Sequence, residues 1–518
     1  MAAGVLCMVA ALLPAQAQPQ DQEQVQAPSQ AQNQAPAQQL EVEAGNAPEE
    51  LRCPIARHRH RGRAWRNKHS SAVMEMPDSE DLADLPVQVE TQHQDVVLTG
   101  GGRFDGSRPF AMALWGDSHA ASDFFSDEMV RTLGIAADRV QPTFIPATMG
   151  RMGVRLPVRK FCLSDGWKHE YAYVTRASHI TATKGLGDLS SRVAGSFLWL
   201  DFRASSRTPD VQALDVLFAP PAPGSKVRVG VTVDGGREQV VELDPAAQGV
   251  LRIKPQQPMS ILRLRLVAGS IVLQGFAPHY ARTPALYFDT LAIPGATAHA
   301  WKVLDPAYLR QRGSDIDYDL VIMEYGTNEG NDRHFDPAKY EDDLRQSLQN
   351  LRDAYPAAMC VLVGPPDRGV LVPRHGRHRR VARQGHVDLL KYARIHQRIG
   401  EIQRTVGKDY ACAYWSWQDA MGGPGAAYGW MRRSPALVGH DLTHLTQPGY
   451  QLSARIFTQD IGLPRILGRS AGTAAGGSGV AAVPAAPVAA AADGVPVAGD
   501  APEAAAPRGE SAVQQTRP

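Results

Sequence analysis

The chain has a formal net charge of only +1, lacks an apolar run of membrane length, and has no cluster of metal-binding side chains in its histidine-containing basic run near the start. Its 54 Lys and Arg residues nearly balance its 53 Asp and Glu residues, so charge gives no reason to expect a nucleic-acid partner. The apolar stretch at residues 4–13 is too short to span a membrane. His58 and His60 stand in a basic run without the cysteines or carboxylates that complete a metal site. Nucleic-acid binding, membrane spanning and a metal site in that run are therefore all disfavoured.

The two ends of the chain have the composition of segments without a packed core. Residues 1–17 join the apolar stretch to Ala15-Gln16-Ala17, a small-x-small cleavage pattern, although the usual basic residues before the stretch are missing. We predict a signal peptide at residues 1–17 and export of the protein. Residues 18–48 are rich in Gln, Ala and Pro, and residues 468–518 in Ala, Gly, Pro and Val. Such compositions cannot offset the entropy of ordering, so we predict a disordered linker and a disordered tail.

Two basic segments and four cysteines leave alternatives open. The segment at residues 52–66 is interpreted as solvated, with attraction to anionic envelope polymers as the alternative. The segment at residues 373–383 is interpreted as a solvated loop, with a basic lip over an active site as the alternative. The cysteines that follow the signal are even in number, which permits disulfides in an exported chain. Cys360 and Cys412 lie in apolar strand-like runs, so buried free thiols are equally compatible for these two. The pairing stays open for Cys53, Cys162, Cys360 and Cys412.

The chemistry of the chain is organised around a Gly-Asp-Ser sequence at residues 116–118. An apolar run of strand length, residues 110–115, precedes it, and residues 122–133 follow with helical spacing of apolar residues. A strand that turns into a helix here places the Ser118 hydroxyl at the carboxyl end of a sheet, with a backbone N–H outside the ladder. This arrangement suits a nucleophilic serine that helps to hold an oxyanion. A Gly-Asp-Ser sequence alone is usually a turn.

Two later segments support the catalytic interpretation. Residues 319–325 form a second buried-type strand that ends in Gly326-Thr327-Asn328. Asp441 and His444 lie three residues apart, just before a helical run that starts at residue 450. A carboxylate so placed can orient the imidazole while the other ring nitrogen faces a serine.

These segments together resemble the SGNH, or GDSL, hydrolase superfamily. The first block of that superfamily is matched at residues 116–118, the second at 291–297, the third at 326–328 and the fifth at 441–444, in family order. The resemblance implies a triad of Ser118, His444 and Asp441, and an oxyanion hole formed by Ser118, Gly295 and Asn328. It also implies that neither a metal nor an organic cofactor is needed. The sequence departs from the family at the residue after Asn328, where glutamate replaces the usual aspartate.

The spacing of the blocks predicts an insertion in the catalytic domain. The core is expected at residues 85–142 and 284–467 as a three-layer α/β/α sandwich with a mainly parallel sheet. Between residues 143 and 283, helical periods give way to short alternating runs with a turn signal at Asp234-Gly235-Gly236, which predicts a jelly-roll-like β-sandwich. The insertion resembles the carbohydrate-binding-module-like domain of peptidoglycan O-acetylesterases. Glycan binding and support of the active-site rim are both consistent with it, because aromatic candidates are limited to Trp167, Tyr171, Tyr173 and Trp199.

The same branch is suggested around the first and last blocks. His119 directly follows the nucleophile, and residues 415–423 read Trp-Ser-Trp-Gln-Asp-Ala-Met-Gly-Gly. The tryptophans there would either meet sugar rings or form one buried face of a strand. The resemblance and the expected export imply an esterase that removes O-acetyl groups from N-acetylmuramic acid of periplasmic peptidoglycan. The alternatives are an acetyltransferase of the same fold, an acetyl esterase on another glycan and a non-catalytic glycan-binding scaffold.

Overall fold

The computed structural model of the protein describes residues 37–46, 74–77, 82, 90–99, 104–149, 157–174, 182–203, 210–247, 249–311, 316–332, 334–373 and 387–468. The predicted signal peptide, the basic segment at 52–66 and the predicted tail beyond residue 468 lie outside the described residues, as does the basic segment after residue 373. Within the described part of the chain, no helix has the length and apolar character needed to cross a membrane.

Strands dominate the middle of the chain. In order, the strands of the described residues are β1 (Gln38–Val42), β2 (Met74–Glu75), β3 (Phe110–Gly116), β4 (Val140–Gln141), β5 (Ile145–Pro146), β6 (Lys160–Leu163), β7 (Trp167–Tyr171), β8 (Gly187–Ser191), β9 (Phe197–Asp201), β10 (Val211–Phe218), β11 (Arg228–Val233), β12 (Gln239–Glu242), β13 (Val250–Pro255), β14 (Ile261–Ala268), β15 (Ile271–Tyr280), β16 (Leu286–Thr290), β17 (Leu320–Glu324), β18 (Met359–Val363), β19 (Val372–Pro373) and β20 (Cys412–Trp415).

Helices lie on either side of this strand-rich region. They are α1 (Ser118–Ala121), α2 (Phe124–Thr132), α3 (His299–Lys302), α4 (Pro306–Gln311), α5 (Pro337–Ala354), α6 (Lys391–Asp409), α7 (Trp417–Met421), α8 (Ala426–Met431), α9 (Gln447–Asp460) and α10 (Leu463–Ile466). Short 3₁₀ turns occur at Ala137–Arg139, Ala172–Val174, Pro245–Ala247 and Glu329–Asn331.

A parallel six-stranded sheet forms the core of the α/β region. Its order is β20-β18-β17-β3-β16-β4, and every pairing in it is parallel. Strand β3 is central and is buried along its whole length. Phe110, Met112 and Leu114 face the cluster that contains α2, α7 and α9, whereas Ala113 and Trp115 face the cluster that contains α3, α5 and α6. Because helices cover both faces, the strand reads as a continuous apolar run, and the predicted three-layer α/β/α fold is confirmed.

Two sheets form the inserted β region, and they are antiparallel except where β1 joins β13. One has the order β1-β13-β10-β15-β8-β7, with β5 paired to β15, and the other has the order β12-β11-β14-β9-β6. Their inner faces share one apolar cluster, in which Leu214 and Phe276 of the first sheet meet Leu200 and Leu264 of the second. The predicted all-β insertion is therefore confirmed. The turn between β11 and β12 contains Asp234 with a φ of 50°, as the sequence indicated.

The prediction of disorder over residues 18–48 is wrong at Gln38–Val42. These residues form β1, which pairs in parallel register with β13, and Val42 is buried. The strand lies at the edge of the insertion's first sheet, so β13 supplies its backbone partners and the sandwich core supplies its packing. An average over a Gln- and Ala-rich segment hides the short apolar alternation of Leu40 and Val42. Residues 18–36 lie outside the described residues.

The insertion and the parallel sheet are built against each other. The Trp115 indole N–H, at the end of β3, donates to the Lys184 carbonyl over 2.7 Å. The Lys184 ammonium lies 3.2 Å from the Asp289 carboxylate at the end of β16, and both side chains are buried. Asp289 also accepts from the Thr143 N–H over 2.6 Å. The insertion therefore contributes to the core at the carboxyl ends of β3 and β16 and is not a detachable appendage.

A disulfide joins Cys360 and Cys412. These residues face each other in the register of the parallel pair β18 and β20, with Cα atoms 4.5 Å apart. The bond lies in the buried core, next to the helices α5 and α6. One of the pairings that the sequence left open is thus decided by strand order. Cys53 lies outside the described residues.

Candidate active site

Ser118 stands where the sequence predicted it, at the turn from strand β3 into a helix. The helix breaks into α1 and α2 at Asp123, whose φ is 61°. The Asp117 carboxylate caps α1 by accepting from the His119 N–H over 2.8 Å. Gly116 has to be glycine, because a Cβ there would lie 2.7 Å from a carboxylate oxygen of Glu324 and 2.9 Å from the Ala120 Cβ. No partner for the Ser118 N–H occurs among the described residues, as the first turn of a helix requires.

A hydrogen-bonded relay connects the serine to an imidazole and a carboxylate. Ser118 Oγ lies 3.0 Å from His444 Nε2. On the other side of the ring, His444 Nδ1 lies 2.6 Å from Asp441 Oδ2. The second carboxylate oxygen, Oδ1, accepts from the backbone N–H groups of Thr443 and His444, each over 3.0 Å. These distances are those of a Ser-His-Asp triad, so the structure brings all three predicted residues together.

The electrostatics of the relay hold Asp441 charged and His444 basic. Partial burial opposes ionisation of Asp441, but the hydrogen bonds from the His444 side chain and the backbone outweigh it and lower the pKa to about 2. The hydrogen bond to Asp441 raises the pKa of His444 above its ordinary value of 6.5. The side chain of Asp441 is nevertheless 51% exposed and that of His444 is 48% exposed. Water therefore reaches the relay from the solvent side.

The second-block loop is fastened to the end of β3. The Ile293 N–H donates to the Gly116 carbonyl over 3.0 Å, and the Leu291 N–H donates to the Leu114 carbonyl over 2.8 Å. Gly295 follows with a φ of 83°, a conformation that favours glycine. The described residues offer no acceptor to the Gly295 N–H. The structure thus places the loop of Gly295 against the strand that ends at the serine.

Asn328 fastens this loop to the nucleophile turn. Its amide Nδ2 donates to the Ala296 carbonyl over 2.9 Å and to Asp117 Oδ2 over 3.1 Å. Both hydrogens of the Asn328 amide are used in these two bonds. To donate to an oxyanion as well, the amide has to share one hydrogen between the oxyanion and its present acceptor. Asn328 consequently also has a positioning task, since it sets the distance between the Gly295 loop and the serine turn. Its oxyanion role stays a prediction.

Glu329, the departure from the family pattern, joins the second and third blocks. One carboxylate oxygen accepts from the Ala298 N–H over 2.9 Å and the other from the Gly326 N–H over 3.1 Å. Burial raises the pKa of Glu329 to about 7. The carboxyl group bridges the loops of Gly295 and Asn328, which accounts for an acidic residue at this position.

A buried pair of carboxyl groups beneath the serine was not found by sequence reasoning. The Asp117 N–H donates to Glu324 Oε2 over 3.0 Å, and both side chains are almost completely buried. Burial raises the pKa of both groups, and that of Glu324 most. The two desolvated carboxyl groups lie side by side, so ionisation of one disfavours ionisation of the other. Asp117 accepts from the His119 N–H and the Asn328 amide. An acidic residue at the end of an apolar strand was the only sequence signal for Glu324.

The aromatic residues around the last block are part of the core. Trp415 and Trp417 have at most 1% exposure, so the alternative in which these tryptophans meet sugar rings is wrong. Trp430, which follows them in α8, is also completely buried. His119 is also buried, with Nδ1 3.0 Å from the Tyr450 hydroxyl and its ring 5.4 Å from that of His444. Burial lowers the pKa of His119 well below its ordinary value. The histidine after the serine is thus a neutral packing partner of the relay.

The sequence comparison agrees with the geometry. Residues 272–452 match the GDSL-like lipase/acylhydrolase family. This segment is similar to that family and includes Gly295, Asn328, Asp441 and His444, whereas Ser118 lies upstream of it and is brought to the site by the fold. No curated protein matches the chain by sequence.

Several solved structures match parts of this chain. A peptidoglycan O-acetylesterase is 19% identical, with a TM-score of 0.48 and coverage of 70% of this chain and 92% of that one. A carbohydrate esterase of family 2 with a carbohydrate-binding domain, from Corynascus thermopiles (Myceliophthora fergusii), is 12% identical, with a TM-score of 0.24 and coverage of 58% and 99%. A salicylyl-acyltransferase from a tetracycline biosynthetic pathway is 16% identical, with a TM-score of 0.24 and coverage of 60% and 94%.

Proposed function

We propose that the protein is an exported serine esterase that removes O-acetyl groups from N-acetylmuramic acid in periplasmic peptidoglycan. The observation that carries the proposal of ester hydrolysis is the relay from Ser118 through His444 to Asp441, at the carboxyl edge of a parallel sheet. The substrate class is supported by the sequence resemblance around His119 and in the β insertion.

In the proposed mechanism, His444 Nε2 takes the proton of the Ser118 hydroxyl while Oγ attacks the ester carbonyl carbon. The Asp441 carboxylate stays ionised and stabilises the imidazolium that forms, in keeping with its low pKa. The N–H groups of Ser118 and Gly295 hold the tetrahedral oxyanion, joined by the Asn328 amide. Each such donor is worth about 3 kcal/mol of the barrier. Collapse returns the proton from His444 to the sugar oxygen, and the acetyl group stays on Ser118.

Water completes the proposed cycle. His444 removes a proton from a water molecule whose oxygen attacks the acyl carbon, and the imidazolium then reprotonates Ser118 as acetate leaves. The side chains of His444 and Asp441 are half-exposed, so solvent reaches the relay directly and can supply this water. An acetyltransferase has to keep water away from its acyl-enzyme, so this exposure favours hydrolysis over transfer.

Acetate release from two polymers tests the proposal. The purified protein should release acetate from O-acetylated peptidoglycan at a rate well above its rate on acetylated xylan. The Ser118→Ala variant is the control, and it should abolish release from both substrates with the fold intact, because the triad residues act as one unit. Faster release from xylan would reject peptidoglycan as the substrate and leave the esterase standing. Near-normal p-nitrophenyl acetate turnover by Ser118→Ala would reject the nucleophile itself.

A further inference from the structure

Arg368 lies beside the triad although no block of the sequence pointed to it. It belongs to the loop after β18, which leaves the same sheet edge as the serine turn. The next residue, Gly369, donates its N–H to the Leu442 carbonyl over 2.9 Å, within the loop that carries Asp441 and His444. A Cβ on Gly369 would lie 3.0 Å from the Leu442 side chain. The loop of Arg368 is therefore packed directly on the triad loop.

The guanidinium of Arg368 is held in place by neutral groups. It stacks on the Tyr392 ring, with Cζ 4.1 Å from the ring centroid. One of its terminal nitrogens donates to the Asn331 side-chain oxygen, in the 3₁₀ turn that follows Asn328. The stack and the hydrogen bond fix the plane of the fork between the third-block turn and the triad loop. Neither contact neutralises the charge.

Within the described part of the chain, Arg368 has no carboxylate at salt-bridge distance. Among the described residues, the carboxylate charge that acts on Arg368 is that of Asp441, which already accepts from His444 and two backbone N–H groups. The side chain is half-buried, and its Nε is shielded from solvent without a hydrogen-bond partner. Nη1 donates to Asn331, and no acceptor for Nη2 occurs among the described residues, so Nη2 is the nitrogen open to a ligand. A desolvated cation without an anion is costly, and a guanidinium is well suited to donate to a carboxylate.

We propose that Arg368 binds a carboxylate of the substrate and so selects acetyl esters of acidic sugars or their peptide substituents. The proposal rests on the proposed function and deepens it, because muramic acid carries a lactyl group and a peptide stem, both sources of carboxylates, whereas N-acetylglucosamine carries none. Arg368 is a specificity residue in this role. It holds the alcohol portion of the ester while the acetyl carbon meets Ser118.

A matched pair of small esters tests this role. The substrates are 6-O-acetyl-N-acetylmuramic acid, which has a free carboxylate, and the neutral 6-O-acetyl-N-acetylglucosamine. The wild-type protein should prefer the acidic ester in kcat/KM, and added salt should weaken the preference. Arg368→Gln should lower the preference by about 10- to 100-fold, the size expected for a charged hydrogen-bonded contact. Arg368→Lys keeps the charge without the planar fork, so its preference for the acidic ester should lie between those of the wild type and Arg368→Gln.

The exposed Arg398, which pairs with Glu401 on the surface of α6, provides the control. Arg398→Gln should leave the preference unchanged. An unchanged ratio of kcat/KM on the acidic ester to kcat/KM on the neutral ester in Arg368→Gln would overturn the proposal. If activity on both esters fell equally, Arg368 would have a structural role. If Arg368→Gln does not fold, Arg368→Lys replaces it. The proposal would then be overturned if Arg368→Lys kept the wild-type preference for the acidic ester and salt did not weaken the wild-type preference. A further outcome is that the wild-type protein releases no acetate from peptidoglycan while Arg368→Gln still lowers the preference for the acidic ester. That result would support carboxylate binding by Arg368 and reject only peptidoglycan as the polymer substrate.

Discussion

Replacement of Asp441 by asparagine is the sharpest test of the relay. The carboxylate accepts the His444 Nδ1–H with one oxygen and two backbone N–H groups with the other. A carboxamide has only one acceptor oxygen. If that oxygen keeps the backbone bonds, its NH₂ faces Nδ1 and imposes the wrong tautomer, in which Nε2 cannot take the Ser118 proton. If the oxygen faces Nδ1, the NH₂ meets two N–H donors.

The magnitude follows from these contacts. Loss of two backbone hydrogen bonds costs about 2 kcal/mol, and loss of the charged partner of the imidazolium costs about 1.5–3 kcal/mol. The sum, about 3.5–5 kcal/mol, corresponds to about a 10³-fold loss in kcat/KM. Asp441→Ala should lose less, about 10²-fold, because the half-exposed site lets water accept the Nδ1–H in the productive tautomer.

The assay is p-nitrophenyl acetate hydrolysis by Asp441→Asn and Asp441→Ala, with circular dichroism to verify folding. Asp409→Asn is the matched control, because Asp409 pairs with Arg345 on the surface and should be neutral. If the asparagine variant kept more than a tenth of wild-type activity, Asp441 would not be orienting the base. If the alanine variant were the weaker of the two, the reasoning from solvent access would be wrong.

Three further predictions concern pH, the oxyanion hole and the disulfide. Since the neutral imidazole is the base and its pKa is raised by Asp441, kcat/KM should rise with pH through a midpoint above 6.5, and an acid limb below 6.5 would contradict the shift. Asn328→Ala should lower kcat about 10²–10³-fold with a smaller change in KM, whereas a loss confined to KM would make the amide a ground-state contact. The loop closed by Cys360 and Cys412 spans 52 residues, so the double serine variant should lose up to about 4 kcal/mol in the free energy of unfolding. Identical denaturation curves would contradict that contribution.

The sequence alone was sufficient to predict the parallel core and to predict that the turns after its strands lie at the same sheet edge. Strand β3 is flanked by a Gly-Asp-Ser turn, and β17 by Gly-Thr-Asn, so both side-chain sets had to lie at one sheet edge. The all-β insertion was likewise predictable, because alternating short runs and an Asp-Gly-Gly turn are local signals. These features depend on neighbours within a few residues along the chain.

Only the tertiary structure decided which distant groups become partners. The pairing of Cys360 with Cys412 depends on which strands are adjacent in the sheet, which no local pattern reports. The strand at Gln38–Val42 exists because β13, far along the chain, offers it an edge.

Burial and charge near the serine were also beyond the reach of local patterns. The tryptophans near the last block are buried by helices from both ends of the catalytic domain. The carboxyl groups of Asp117 and Glu324 acquire their raised pKa values only when the strands that carry them come together in a dry site. Arg368 becomes a candidate for carboxylate binding only because folding surrounds it with neutral partners and leaves its charge unpaired beside the triad. Periodicity shows which side of an element is apolar, but the partners of a polar side chain are set by what folding packs against it.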